Sequence, residues 1–170
     1  MPTNAQQASR NFGTAQTILL FGFAVAYFFD RSSWIFAPGG LMGGLGVALS
    51  VAGLLLMLAA FLALRGVIQI APEPKAGGHL VTSGVYSMLR HPIYTAILLV
   101  VIGLFLRKPT LLVAAAGILV IAFLLVKVRL EERLLLERYP DYAAYMSRSW
   151  GVIPGLGRGS SGGAATKRDV

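Results

Sequence analysis

The 170-residue sequence contains no cysteine. Disulfides, thiolate nucleophiles and cysteine-ligated metals are therefore excluded, and no metal site is expected. Acidic residues are scarce as well: seven Asp and Glu stand against fifteen Lys and Arg, and charged residues make up only 13% of the chain. In a soluble protein, the resulting net charge of +8 would suggest a basic stripe for nucleic acid. Here 56% of the residues are hydrophobic. The basic excess then reads better as Lys and Arg held at one membrane face, attracted to anionic membrane lipids, with no nucleic-acid partner. The N-terminus has no basic segment leading into a short apolar stretch and a small-residue cleavage site, so its first hydrophobic segment is expected to be retained.

Long uncharged runs dominate what remains. Residues 1–10 are polar and small and are expected to form a flexible N-terminus. From Asn11 to Phe29 no charge appears, and Asp30 and Arg31 end this first apolar run. After a loop with Trp34, Pro38, Gly39 and Gly40, the run from Leu41 to Leu64 is long enough to cross a bilayer with some tilt. Its Gly43, Gly44, Gly46, Ala48, Ser50, Ala52 and Gly53 are the small residues that let helices approach closely in lipid. The segment Arg65 to Arg90 carries Pro72, Pro74, Gly77, Gly78 and Gly84 and should be irregular, and long irregular loops are often functional. A third run, Pro92 to Leu106, is separated from a fourth, Leu111 to Val126, by Arg107-Lys108-Pro109-Thr110, which implies a tight antiparallel hairpin. The third run covers only about 23 Å of a hydrocarbon core near 30 Å, so it either spans with local thinning or is partly re-entrant.

The fourth run continues without a breaker through KVRLEERLLLER to Tyr139-Pro140-Asp141, so this helix should project out of the membrane. Asp141 suits the N-cap of a further short helix that places Tyr142 and Tyr145 on one face. The Gly/Ser-rich tail 157–170 is expected to be disordered. The expected architecture is an all-α integral membrane protein of about four transmembrane helices with a cytoplasmic helical extension, and residues 11–156 form its one domain. Four spans put both termini and the 65–90 loop on one side. Twelve of the fifteen basic residues fall there, and Arg31, Arg107 and Lys108 fall on the other. The positive-inside rule makes the richer side, with both termini and the polar site, cytoplasmic.

Two constellations could carry chemistry. The first runs from His79 through Leu80, Val81 and Tyr86 to Arg90-His91-Pro92-Ile93-Tyr94. Pro92 fits the first turn of a helix beginning at His91, and His91 and Tyr94 can share one face of it. The same residues could equally form an interfacial cap, with Arg90 and His91 facing lipid heads and Tyr94 in an aromatic belt. The second constellation is Glu131-Glu132. Adjacent helical positions differ by about 100°, so one carboxylate can meet Lys127 or Arg129 while the other faces a site. A solvated helix with Lys127–Glu131 and Arg129–Glu132 pairs is the competing reading. Folding the hairpin about Lys108 sets His91 opposite residue 125 or so, with Glu131 and Glu132 about 9 Å beyond it.

The string HLVTSGVYSMLRHPIY, the apolar hairpin and then EERLLLERYPDYAAYMSRSWGVIPGL resemble the isoprenylcysteine carboxyl methyltransferase family and related membrane phospholipid methyltransferases, over roughly residues 77–156. The resemblance implies S-adenosylmethionine as cofactor on the cytoplasmic side and a lipophilic methyl acceptor that enters from the bilayer. Carried over, His79, Leu80 and Val81 would frame the cofactor, Tyr86, Arg90, His91 and Tyr94 would line its site, and Glu131 and Glu132 would hold its polar end. Arg90, Glu131 and Glu132 become the candidate catalytic residues. Val85, Ser87 and Gly151 depart from the proline, basic residue and arginine common in the family. The acceptor could be a prenylated cysteine carboxylate, a phospholipid, or another small lipophilic amine or thiol. A transporter or a non-catalytic scaffold is the reading from another class. Against transport, no Asp, Glu, Lys or Arg falls inside the four apolar cores. Against a scaffold, the polar groups gather on one side.

Overall fold

A computed structural model of the chain describes residues 4–65 and 80–155, and for residues 4–10 it gives the backbone alone. The expectations placed on His79, on the 66–78 part of the loop and on the 157–170 tail lie outside the described residues. Among the described residues, five helices follow in order: α1 Asn4–Phe29, α2 Gly40–Leu64, α3 Pro92–Arg107, α4 Leu111–Arg138 and α5 Tyr142–Arg148, with a short 3-10 turn at Gly84–Ser87. α1 is regular from Asn4, ahead of the apolar run, because Ala5, Gln6, Gln7 and Ala8 are residues that readily extend a helix. Gly84 sits at φ +60°, a left-handed conformation that opens the 3-10 turn and that side chains disfavour.

The helix ends follow the local chemistry. Pro92 occupies the first turn of α3 with His91 at the N-cap, as the spacing predicts. The His91 side chain makes no capping bond, which leaves the imidazole for other partners. In the hairpin, the Thr110 hydroxyl accepts from the Val113 N–H at 3.3 Å and so caps α4. α4 has 28 residues, about 42 Å of helix against a core near 30 Å, so its charged last turns stand clear of the membrane.

α1 from Asn11, α2 and α4 are each long and apolar enough to cross a membrane, while α3 is a shorter apolar helix. Phe21, Phe28, Leu41, Leu54, Leu111 and Ile118 all point outward, a surface suited to lipid rather than water. α3 takes the inner position: Thr95, Ala96, Ile97, Leu98, Val101 and Gly103 are buried. α2 packs along α3, α1 along α4, and α3 meets α4 across the hairpin.

The α2–α3 seam depends on missing side chains. A Cβ on Gly46 would lie 2.6 Å from the Gly103 carbonyl, and one on Gly53 would lie 2.7 Å from the Ala96 carbonyl. Gly43 and Gly44, grouped with them by composition, have no such neighbour within 4 Å, so only part of the small-residue run serves packing. At the far end of the hairpin, Lys108 Nζ donates to the carbonyls of Tyr27 at 2.6 Å and Asp30 at 2.5 Å. These are backbone acceptors at the exit of α1 that its own helix leaves unpaired. Ile35 N–H donates to the Pro109 carbonyl at 2.7 Å and completes this knot.

Candidate active site

At the opposite end, the start of α3 faces the outer part of α4. The simple hairpin count leaves a gap of about 9 Å there, and the structure closes it. Helical side chains lean toward their own N-terminus, so those at the start of α3 lean outward and those of α4 lean back to meet them. Tyr94 Oη donates to Glu131 at 2.7 Å and 2.9 Å. His91 Nε2 lies 3.3 Å from Glu132 Oε1, and Nδ1 lies 3.9 Å from Glu131 Oε2. The imidazole and the Tyr94 ring stack with centroids 5.6 Å apart and planes 13° from parallel. The two neighbouring carboxylates thus bracket one histidine from different directions.

Arg90 is buried and fully engaged in holding parts together. Its Nε donates to Glu132 Oε1 at 2.8 Å, and its Nη1 donates to the carbonyls of Met146 at 3.2 Å and Ser149 at 2.6 Å. Burial alone would push the Glu132 carboxyl up, but the hydrogen bonds from His91 and Arg90 and the guanidinium charge outweigh it and hold the group below the usual carboxylate range. Lys127 anchors the other carboxylate: its Nζ lies 3.7 Å from Glu131 Oε1, 5.3 Å from the centre of the Tyr94 ring, and donates to Gln16 Oε1 of α1 at 2.6 Å. The Lys127–Glu131 pair expected of a solvated helix is present, but Glu132 pairs with Arg90, 42 positions away, where Arg129 was expected. The charged helix end is therefore tied into tertiary structure.

A strap after α5 completes the site. Arg90 N–H donates to the Trp150 carbonyl and Trp150 N–H to the Met88 carbonyl, both at 2.8 Å, making a parallel bridge between Leu89 and Trp150. Thr95 Oγ1 donates to the Val152 carbonyl at 2.5 Å, and the Tyr145 hydroxyl donates to the Tyr86 carbonyl. Sequence reasoning named Lys127 as a partner for one glutamate but passed over Thr95, Ser149 and Gln16. The only signal for the strap was the apolar segment WGVIP after Arg148.

The remaining predicted residues sit around this core. Leu80 lines a cavity of about 320 Å³ with Thr82, Tyr139, Pro140, Asp141, Tyr145 and Arg148. Val81 is half-buried next to it. Tyr86 reaches the cluster through its carbonyl, and burial raises its phenol above the ordinary value. Asp141 does precede α5, although its side chain makes no capping bond. Tyr142 and Tyr145 share the buried face of α5, as expected, with centroids 5.8 Å apart. Among the described residues, no group of three or more His, Asp or Glu is arranged to hold a metal ion.

Fold and cluster together define a helical membrane protein whose interacting ionisable groups are concentrated at one end of the bundle, where α3 starts and α4 leaves the apolar layer. The family model described as phospholipid methyltransferase matches residues 40–142, more than half of the chain, and the protein belongs to that family. The matched segment contains Arg90, His91, Tyr94, Glu131 and Glu132, and it bears out the resemblance drawn from these motifs. Two curated relatives are similar over 80 residues, 45% of this chain. The cobalt-zinc-cadmium resistance protein CzcN of Cupriavidus metallidurans is 40% identical, over 36% of its own length. The nickel-cobalt-cadmium resistance protein NccN of Alcaligenes xylosoxydans xylosoxydans is 36% identical, over 37% of its length. The shared stretch is thus little more than a third of either relative, and the metal resistance in their names is a statement about those proteins.

Proposed function

We propose that the protein is an S-adenosylmethionine-dependent membrane methyltransferase with a lipophilic acceptor. The observation that carries this reading is the Glu131–Glu132 pair held by Tyr94, His91 and Arg90 inside a chain of the phospholipid methyltransferase family. When bound, S-adenosylmethionine supplies a methyl group on a positively charged sulfur that departs as a neutral thioether. The residues present suit such a molecule. It carries a sulfonium and an ammonium, which favour a carboxylate-rich wall, and the cavity beside Leu80 and Tyr145 adds room for a polar body. The side chain of Glu131 is 35% exposed and that of Glu132 18%. Glu131, presented by Tyr94 and Lys127, is therefore the carboxylate that reaches a ligand. Glu132 and Arg90 act mainly by positioning, since their bonds fix the start of α3, the outer part of α4 and the strap.

Methyl transfer of this kind depends chiefly on alignment in a dry site and needs no covalent intermediate. A carboxylate acceptor needs no base. An amine acceptor must lose a proton, and the candidate bases are Glu131, whose carboxylate is the more exposed, Glu132, His91 and a tyrosine. The family description favours a phospholipid head group, and the motif string keeps the prenylated cysteine carboxylate as the second reading. The acceptor's chain would reach the site sideways from the bilayer, each buried CH₂ contributing about 0.8 kcal/mol. The site, with both termini, would face the cytoplasm.

Binding of S-adenosylmethionine to the detergent-purified protein is the first test, and a chain that binds none is not this enzyme. Transfer from radiolabelled cofactor to amino-phospholipids and to prenylated-cysteine analogues, each with short and long chains, then identifies the acceptor. Equal turnover of water-soluble and long-chain acceptors would rule out lateral access. In a chain without cysteine, a single Ser83→Cys label reports sidedness, and modification only from outside would overturn the cytoplasmic placement.

A further inference from the structure

Two tyrosines one turn apart on α5 have opposite hydrogen-bonding status. Both side chains are buried, Tyr142 at 1% and Tyr145 at 3% exposure. The Tyr145 hydroxyl is satisfied by the Tyr86 carbonyl. The Tyr142 hydroxyl is buried with no hydrogen-bond partner among the described residues. Such a group is rare in a folded protein, because desolvating a hydroxyl without a new bond is unfavourable, and a phenylalanine would fill the same space without that penalty. The position of the orphan is informative. Tyr142 begins α5, directly after Tyr139, Pro140 and Asp141, which line the cavity shared with Leu80. The groups that act electrostatically on its phenol are Glu132, Arg90, Tyr145 and Glu131, three of which form the core of the candidate site. Burial raises the phenol above its ordinary value, so it stays a neutral O–H able to donate or accept.

We infer that the Tyr142 hydroxyl, covered in the empty protein and set behind the cavity that its neighbours line, is a ligand-binding group: its missing partner is a polar atom of the bound adenosyl cofactor, reached as the side chains over it move aside. This rests on the methyltransferase reading and adds to it a contact residue on α5, beyond the helices that carry the paired motifs. The hydroxyl stays unsatisfied in the empty protein and is paired when the cofactor arrives. Its desolvation is thereby complete before binding, and the bond it makes contributes to affinity without a further loss of water.

The test compares Tyr142→Phe with Tyr145→Phe in the full-length, detergent-purified protein, reading thermal unfolding without ligand and equilibrium binding of S-adenosylmethionine and S-adenosylhomocysteine. Tyr142→Phe should leave the unfolding temperature unchanged or raise it, because no protein bond is lost, and should weaken cofactor binding about three- to tenfold, the worth of one neutral hydrogen bond. Tyr145→Phe should lower the unfolding temperature, because the bond to Tyr86 is lost. Equal weakening for both ligands places the bond on the part they share, while a loss confined to S-adenosylmethionine places it at the methylsulfonium. Wild-type affinity in Tyr142→Phe overturns the inference. So does a lowered unfolding temperature in the ligand-free variant, which would mean that the hydroxyl is already paired inside the protein. Failure of the wild type to bind either ligand is a distinct result that removes the methyltransferase reading and this contact with it.

Discussion

The seam between α2 and α3 and the cluster at the start of α3 are built on the same helix by opposite means. Along the seam, Gly46, Gly53 and Gly103 bring two backbones together, and shape alone specifies the contact. In the cluster, Arg90, His91, Tyr94, Glu131 and Glu132 are long side chains specified by charge and donor geometry. The difference teaches where each kind of error does harm. The seam cannot accept an added carbon, and the one charged side chain against it, Arg107, meets Gly46 through its aliphatic stem. The cluster has room for exchanges of similar size but not for an unpaired charge.

Removing one partner of the buried ion pair should be the most damaging change. Arg90→Met strands Glu132 and frees the strap carbonyls of Met146 and Ser149, and losses of this kind run to about 3 to 5 kcal/mol, measurable as a collapse of the unfolding transition. On the seam, Gly53→Val forces a Cβ into the Ala96 carbonyl and should cost about 1 to 3 kcal/mol of stability. Because no side chain of the cluster is touched, the surviving folded fraction should bind cofactor normally, and equal losses of fold and affinity would erase the distinction between the two regions. Glu131→Gln is the converse, keeping the fold while weakening S-adenosylmethionine binding by about 1 to 3 kcal/mol. Glu137→Ala, on the same helix, should be near neutral in both measurements.

The smallest effect sharpens the comparison through pH. The Glu132 carboxyl is held below its ordinary value of 4.5 in the folded chain. A depressed carboxyl adds stability that is present above its unfolded value and lost as pH falls through its folded one. Unfolding temperature should therefore hold steady from neutral pH down to about 4.5 and decline below it. In Glu132→Gln the part of the decline due to this group should vanish, whereas in a seam variant it should persist.

Much of this contrast was legible in the chain. Uncharged runs interrupted by Asp30, Pro92 and the Arg107–Thr110 break mark the helices closely, since in lipid a charge or a proline has few places to go. The RHPIY and EE motifs pointed to the residues that meet. The closeness of the meeting is missing from an axial count, which leaves out the lean of the side chains, and spacing alone does not decide between Arg129, the partner in a solvated helix, and Arg90, the site residue 42 positions away that Glu132 meets. The attachment of the strap is illegible for a different reason: Arg90 binds it through carbonyl oxygens, which every residue possesses and no residue type advertises.

The Lys108 knot has a consequence for biogenesis. α1 is synthesised before α4, yet it packs along it, and the carbonyls at its far end are met by a lysine 81 positions after Tyr27. Until the hairpin is inserted, those carbonyls must rely on lipid head groups or water, and the first helix waits in the bilayer without its final neighbour. A ribosome stalled before Lys108 would therefore hold α1 inserted but undocked. Release of the last third of the chain would then be the event that closes the bundle at one end and assembles the glutamate site at the other.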